Sequence, residues 1–130
     1  MRVVFDTNIF ISAFVIPESL AEKALLKIIE GEHFLLISKD IINEVLSVLS
    51  SKFGRDREAL SHVAFTLSEL AELVKPGGRI KIFTHEPDNR ILEYAIYGKA
   101  DLLVTGDKEM LQLREHKGVK IISLKEYLEL

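Results

Sequence analysis

Apolar residues fall along this chain in two alternating rhythms. Short unbroken runs, Val3-Val4-Phe5, Phe34-Leu35-Leu36-Ile37 and Leu102-Leu103-Val104, have the length and composition of strands buried on both faces. Between them, apolar positions recur at helical spacing. Leu20, Ala21, Ala24, Leu25, Ile28 and Ile29 predict one helix, and Gly31 ends it. Ile41, Ile42, Val45, Val48 and Leu49 predict a second, with Ser38 as its N-cap. Leu60, Val63, Leu67, Leu70, Ala71 and Val74 carry a third from Arg55 to Val74, broken by Lys75-Pro76-Gly77-Gly78. Ile9 to Phe14 forms a short helix after the first run and ends near Pro17. Ile80-Lys81-Ile82-Phe83 alternates as a third strand, and a helix carrying Leu92 and Ala95 follows it. Met110 and Leu111 mark a short helix, Lys120-Ile121-Ile122 a fifth strand, and Leu124 to Leu130 a closing turn or two. Strands alternating with helices predict βαβ units: an α/β fold, mostly parallel, with helices on both sides of the sheet.

The chain has 130 residues, 48% of them apolar and 28% charged, an ordinary balance for one globular domain spanning 1–130. No apolar run reaches the ~18 residues that suggest a membrane helix, no signal-peptide pattern opens the chain, and there is no cysteine. These features predict a cytoplasmic protein with no membrane association. The net charge of −3 argues against holding nucleic acid by simple charge attraction.

Four acidic residues change the picture. Asp6 ends the first strand, Glu44 borders the apolar stripe of its helix, Asp88 begins the helix before the fourth strand, and Asp107 follows that strand. In a parallel sheet all four lie toward the carboxyl edge, where open α/β sheets bind ligands. Taken singly, Asp6, Asp88 and Asp107 read equally well as helix caps and Glu44 as a surface residue. Four separate caps have no need to share one edge. Clustered carboxylates raise one another's pKa unless a cation neutralises them. A hard oxygen donor set without Cys or paired His points to Mg²⁺ or Mn²⁺. One or two such ions activate a water and steady the leaving oxygen of a phosphodiester. Asn8 and Thr105 are candidates to orient these carboxylates by hydrogen bonds. Asn43, Asn89, the scattered histidines at 33, 62, 85 and 116, and Arg55, Arg57, Arg90 and Lys108 are read as solvated surface.

Asp6-Thr7-Asn8 after the first strand, Glu44, Pro87-Asp88-Asn89 with Leu92 and Ala95, and Ala100-Asp101-Leu102-Leu103-Val104-Thr105-Gly106-Asp107 together resemble a PIN domain. The resemblance covers essentially the whole chain and is closest to the toxin-like (VapC-type) PIN ribonucleases of prokaryotic toxin–antitoxin systems. It implies a three-layer α/β/α sandwich with a five-stranded sheet in the order 3-2-1-4-5, placing Asp6 and Asp107 side by side. It implies a metal-dependent endoribonuclease cutting single-stranded or looped RNA, with Asp6, Glu44, Asp88 and Asp107 as catalytic and metal-binding residues. Asn8, Thr105 and Asp101 support them, and the family pattern leaves open a metal contact by Glu86. It further implies a partner antitoxin and, with the generous apolar content, a homodimer. Two alternatives stand beside this reading: a non-catalytic RNA-binding or assembly module on the same fold, and a housekeeping RNA-processing nuclease. A receiver domain needs a carboxylate after the third strand, where Phe83-Thr84 stands. A haloacid-dehalogenase-type phosphatase needs Asp-x-Asp where this chain has Asp6-Thr7-Asn8.

Overall fold

In the computed structural model, which describes residues 1–75, 77 and 79–130, the three apolar runs form the centre of a sheet. β1 (Arg2–Phe5) lies between β2 (Phe34–Ile37) and β4 (Leu102–Val104), parallel to both, with Val3 opposite Leu35 and Phe5 opposite Val104. Val3, Val4, Phe5, Leu36, Leu103 and Val104 have no exposed surface. Such uninterrupted apolar strands are stable only when both faces of the sheet are covered. Helices cover them: α1 (Thr7–Val15), α2 (Leu20–Ile29), α3 (Lys39–Ser51), α4 (Arg57–Leu70), α5 (Glu86–Tyr97), α6 (Lys108–Leu113) and α7 (Leu124–Leu128). Ser19, Ser38, Asp56 and Ser123 cap α2, α3, α4 and α7 through their side-chain oxygens. Gly31, at φ +80°, follows the end of α2 in the left-handed conformation expected of a C-terminal stop.

With β3 (Ala71–Leu73), β5 (Glu115–His116) and β6 (Val119–Ile122), the sheet among the described residues has six strands in the order β3-β2-β1-β4-β6-β5, so the 3-2-1-4 core agrees with expectation and the edges do not. On one side the third strand is Ala71–Leu73, parallel to β2 with Leu36 opposite Glu72, not Ile80–Phe83. Helix α4 passes into it without a turn, Ala71 taking extended backbone (φ −119°, ψ 149°) directly after Leu70. Of the predicted break, Pro76 and Gly78 lie outside the described residues. On the other side β6 (Val119–Ile122) is parallel to β4, and a two-residue strand β5 (Glu115–His116) pairs antiparallel with it.

Residues 80–83 make their backbone bonds to side chains of α5 instead of to a strand. The Asn89 carboxamide accepts from the Ile82 and Phe83 amides at 3.0 and 2.8 Å and donates to the Phe83 carbonyl at 3.1 Å. Glu93 accepts from the Ile80 amide at 2.7 Å. Both side chains are buried, so Asn89 is a structural staple and not surface. From α6, Glu109 accepts from the Thr84 amide at 2.6 Å. The segment leading into Asp88 is therefore tied to both flanking helices.

The candidate active site

β1 and β4 end beside each other, and their carboxyl ends carry Asp6 and Thr105-Gly106-Asp107. The Asp6 amide donates to the Val104 carbonyl at 3.0 Å, continuing the ladder one residue past β1. This brings the Asp6 carboxylate beside Thr105, whose hydroxyl donates to Asp6 Oδ2 at 2.7 Å. The same hydroxyl oxygen accepts from the Asp107 amide at 3.1 Å. Thr105 is fully buried and so joins the two strand ends. Asp6 stands at the N-cap position of α1, yet its side chain makes no capping bond there. Asp107 does cap α6, with Oδ1 accepting from the Met110 amide at 3.0 Å.

Glu44 comes from α3. The Thr7 hydroxyl on α1 donates to Glu44 Oε2 at 3.2 Å, holding an otherwise exposed carboxylate toward the strand ends. The helical period alone does not reveal this contact, because it depends on how α1 and α3 pack. Asp88 lies in the first turn of α5, after Pro87, with His85 at the N-cap. Asp6, Glu44, Asp88 and Asp107 thus line one cleft of about 440 Å³, together with Asn8 and His85. No Lys or Arg is among the residues that line it.

The electrostatics follow from this crowding. Burial, then the charges of Asp107 and Asp6, push the Asp88 carboxyl up from 3.8 to about 6. Burial also raises the Asp6 carboxyl, and Asp107 adds to the effect, while the Thr105 hydroxyl and the amides of Thr7 and Asn8 oppose it.

The other candidates fall out differently. Asn8 borders the cleft but its side chain makes no hydrogen bond to a carboxylate among the described residues. Asp101 does not support the site. It accepts from the Arg2 amide at 2.9 Å, at the amino ends of β1 and β4, the opposite edge of the sheet. Its position just before β4 in sequence puts it a whole strand away from Asp107. Glu86 is bonded to Arg90 Nε at 3.1 Å and is not among the residues lining the cleft. His85, read as surface, lines it, and its signal was adjacency to Pro87-Asp88. Asn43 is exposed, as expected.

No three His, Asp or Glu side chains among the described residues already stand as a coordinating group. The donor set nonetheless suits a hard divalent cation: four carboxylates facing one cleft, two of them with raised pKa, and no Lys or Arg lining it.

A PIN domain profile matches residues 2–109, from the first strand through Asp107. The chain belongs to the PIN domain family. The uncharacterized protein MJ1680 of Methanocaldococcus jannaschii is 30% identical over 126 residues, covering 93% of this PIN domain chain and 81% of that protein. Its fold is similar to a chain of VapBC2 from Rickettsia felis, solved bound to a DNA fragment from their promoter, with TM-score 0.67 at 15% identity over 95% of this chain and 98% of that one. It is also similar to a chain of VapBC-1 from nontypeable Haemophilus influenzae, with TM-score 0.65 at 16% identity over 96% and 99%. At such identities the two structures speak to the PIN fold alone. No helix among the described residues is long and apolar enough to cross a membrane.

Proposed function

We propose that this PIN domain is a divalent-metal-dependent endoribonuclease, acting on single-stranded or looped RNA as the toxin of a toxin–antitoxin pair. The observation that carries the nuclease reading is the meeting of Asp6, Glu44, Asp88 and Asp107 in one cleft at the carboxyl edge of the sheet. Family membership and the fold likeness to the two VapBC chains support the toxin role. In this reading the four carboxylates hold Mg²⁺ or Mn²⁺, and the protein works in the cytoplasm as a homodimer.

When bound, the ion supplies charge neutralisation and Lewis-acid activation for phosphodiester hydrolysis. The chain's own residues supply position. Thr105 holds Asp6 by Oδ2, Thr7 holds Glu44 by Oε2, and the Met110 amide holds Asp107 by Oδ1. Each of these three carboxylates is thus oriented through one oxygen, with a second oxygen in the same group. Asp88 has no such tether among the described residues, and burial with the charges of Asp107 and Asp6 raises its carboxyl to about 6. The cation also reconciles an acidic cleft with a polyanionic substrate, by standing between them.

Incubation of defined RNAs with and without Mn²⁺ and chelator tests this reading. Cleavage is expected only with Mg²⁺ or Mn²⁺, and Asp6→Asn or Asp107→Asn is expected to abolish it. Cleavage persisting in chelator or in either variant sinks the metal mechanism.

A further inference from the structure

A cation in the carboxylate cleft holds one phosphodiester, but the rest of a polyanion needs positive charge elsewhere on the surface. Arg2, Lys27 and Arg90 are already paired with Glu72, Glu32 and Glu86. Arg55 and Arg57 form no ion pair among the described residues. Both are exposed, yet the fold brings them to one place. They flank Asp56, where the chain turns from α3 into α4, and both line a groove of about 400 Å³ between those helices. Leu46 on α3 and Leu60 on α4 are its apolar part, while Ser50 and Ser61 bring a hydroxyl from each helix. No Asp or Glu lines it. Asp56 is turned onto its own helix, with Oδ1 accepting from the Ala59 amide at 2.8 Å. The Arg55 amide donates to the Leu49 carbonyl at 3.0 Å, which fixes the backbone of the turn against the end of α3.

Two guanidiniums and two hydroxyls without a carboxylate match a phosphate, whose oxygens accept from the planar donor fork of Arg. Apolar walls beneath them strengthen the field at the groove. Its place relative to the cleft follows from α3, which serves both. Glu44 faces the cleft from one flank of the helix, and Leu46 stands about 200° round from it, on the flank that meets α4. Ser50 is about 9 Å further along the axis than Glu44. The exposed ridge between the two flanks carries the uncharged Asn43 and Ser47, with Asp40 a turn nearer the start of α3. A strand leaving the cleft over this ridge meets the arginines next.

We infer that the groove between α3 and α4 binds the RNA backbone away from the cut bond, with Arg55 and Arg57 gripping its phosphates and Ser50 and Ser61 donating to the same oxygens. The inference rests on the ribonuclease reading and adds to it a second, metal-free phosphate site. Arg55 and Arg57 are then binding residues, remote from the hydrolysis itself.

Binding and cleavage test it separately. In the first measurement, the Asp6→Asn protein in Mg²⁺ is titrated with a labelled, unstructured RNA of about twenty nucleotides, longer than the site sizes usual for single-strand binders, by fluorescence polarisation over a range of salt. Each phosphate contact on a single strand contributes about 0.7 to the slope of log affinity against log salt. Adding Arg55→Gln with Arg57→Gln is expected to flatten that slope by about 1.4 and to weaken binding about tenfold at low salt. Lys120→Gln with Lys125→Gln, which removes the same charge from β6 and α7, is expected to change the slope little. A trinucleotide, too short to reach from the cleft to the groove, is expected to bind with and without the two arginines alike. An unchanged melting temperature shows that the double variant folds.

In the second measurement, the long RNA is cut in Mn²⁺ by wild type and by the Arg55→Gln, Arg57→Gln variant. The variant is expected to raise KM about tenfold and to keep kcat, because the groove holds the strand and leaves the reacting bond alone. Arginine-dependent binding of an RNA that wild type never cuts keeps the groove and fails the ribonuclease reading. Cleavage with the slope and KM unchanged in the double variant overturns the groove and keeps that reading. Two other results also overturn the inference: a trinucleotide that loses as much affinity as the long RNA, and a lysine control that flattens the slope equally.

Discussion

Thr105 carries two bonds through one oxygen, and both ends of the carboxylate cleft depend on it. Groups that orient metal-binding carboxylates typically cost about 10–100-fold in metal affinity or activity when removed. Thr105→Val keeps the outline of the side chain but frees Asp6 Oδ2 and the Asp107 amide together. It is expected to raise the Mn²⁺ concentration needed for half-maximal cleavage by about tenfold or more. Thr105→Ser keeps the hydroxyl and is expected to restore most of the loss, and a Mn²⁺ titration of both variants checks this. Asp88 gives a second test. The folded protein binds its proton more tightly than the unfolded chain does, so the stabilisation it contributes is fully present below pH 3.8 and is lost as pH rises through about 6. In chelator the melting temperature is expected to fall across that window, and Asp88→Asn is expected to remove this part of the fall. With Mn²⁺ the trend reverses, because the ion needs the ionised carboxylate and binds better as pH rises past about 6. The same repulsion predicts that Asp6→Asn melts higher than wild type in chelator and loses that advantage in Mn²⁺. If the three aspartates were only helix caps, Asn would serve nearly as well, and melting would shift little and equally under both conditions.

At the scale of elements, the centre of the sheet was legible and its edge was not. Val3-Val4-Phe5 and Leu102-Leu103-Val104 read as buried strands because nothing else buries an unbroken apolar run so short, and each ends at the acid it delivers to the cleft. Ile80–Phe83 alternates convincingly yet is no strand, because Asn89 and Glu93 supply the bonds a neighbouring strand would have made. A pattern of apolar positions has no way to register that substitution. Ala71–Leu73 was hidden for the opposite reason: Leu70, Ala71 and Val74 continue the stripe of α4, and no Gly or Pro marks where the backbone changes from helix to strand. Within the site, Asp6 and Asp107 follow from strand ends, whereas the Thr7–Glu44 contact depends on helix packing that the spacing does not encode. Asp101 shows the limit of nearness in sequence, since one strand's length separates it from Asp107. The Asn89 staple is itself testable. Asn89→Leu leaves the Ile82 and Phe83 amides and the Phe83 carbonyl without partners and is expected to cost about 3 kcal/mol in urea unfolding. The loop it holds delivers His85 and Asp88 to the cleft, so cleavage should fall with it.

For the whole molecule, the contrast is between a net charge of only −3 and a cleft lined by four carboxylates with no Lys or Arg. An inhibitory partner that blocks this cleft without metal must bring its own cation, and an Arg or Lys set against Asp6 and Asp107 with bidentate geometry is the expected device. A complex that inhibits while leaving both residues open to solvent would contradict it. The expected homodimer rests on family and on apolar residues left at the surface, among them Phe34 at 70% exposure and Ile29 at 54%. Light scattering that returns the mass of one chain at micromolar concentration removes it.

The join between Thr105 and Asp6 spans 99 positions of the sequence, which gives it a meaning in time as well as in space. A ribosome adds about 5–20 residues per second, and a domain generally folds as a unit. The first half of this chain brings out Asp6 and Glu44 but only one of the two strands that β1 pairs with, since β4 is still unmade. Until residues 102–107 are free to pair, there is no Thr105 to orient Asp6, no Asp107, and no cleft. A chain stopped before Leu102 therefore carries Asp6, Glu44 and at most Asp88, and the cleft forms only once residues 102–107 have emerged to pair with β1.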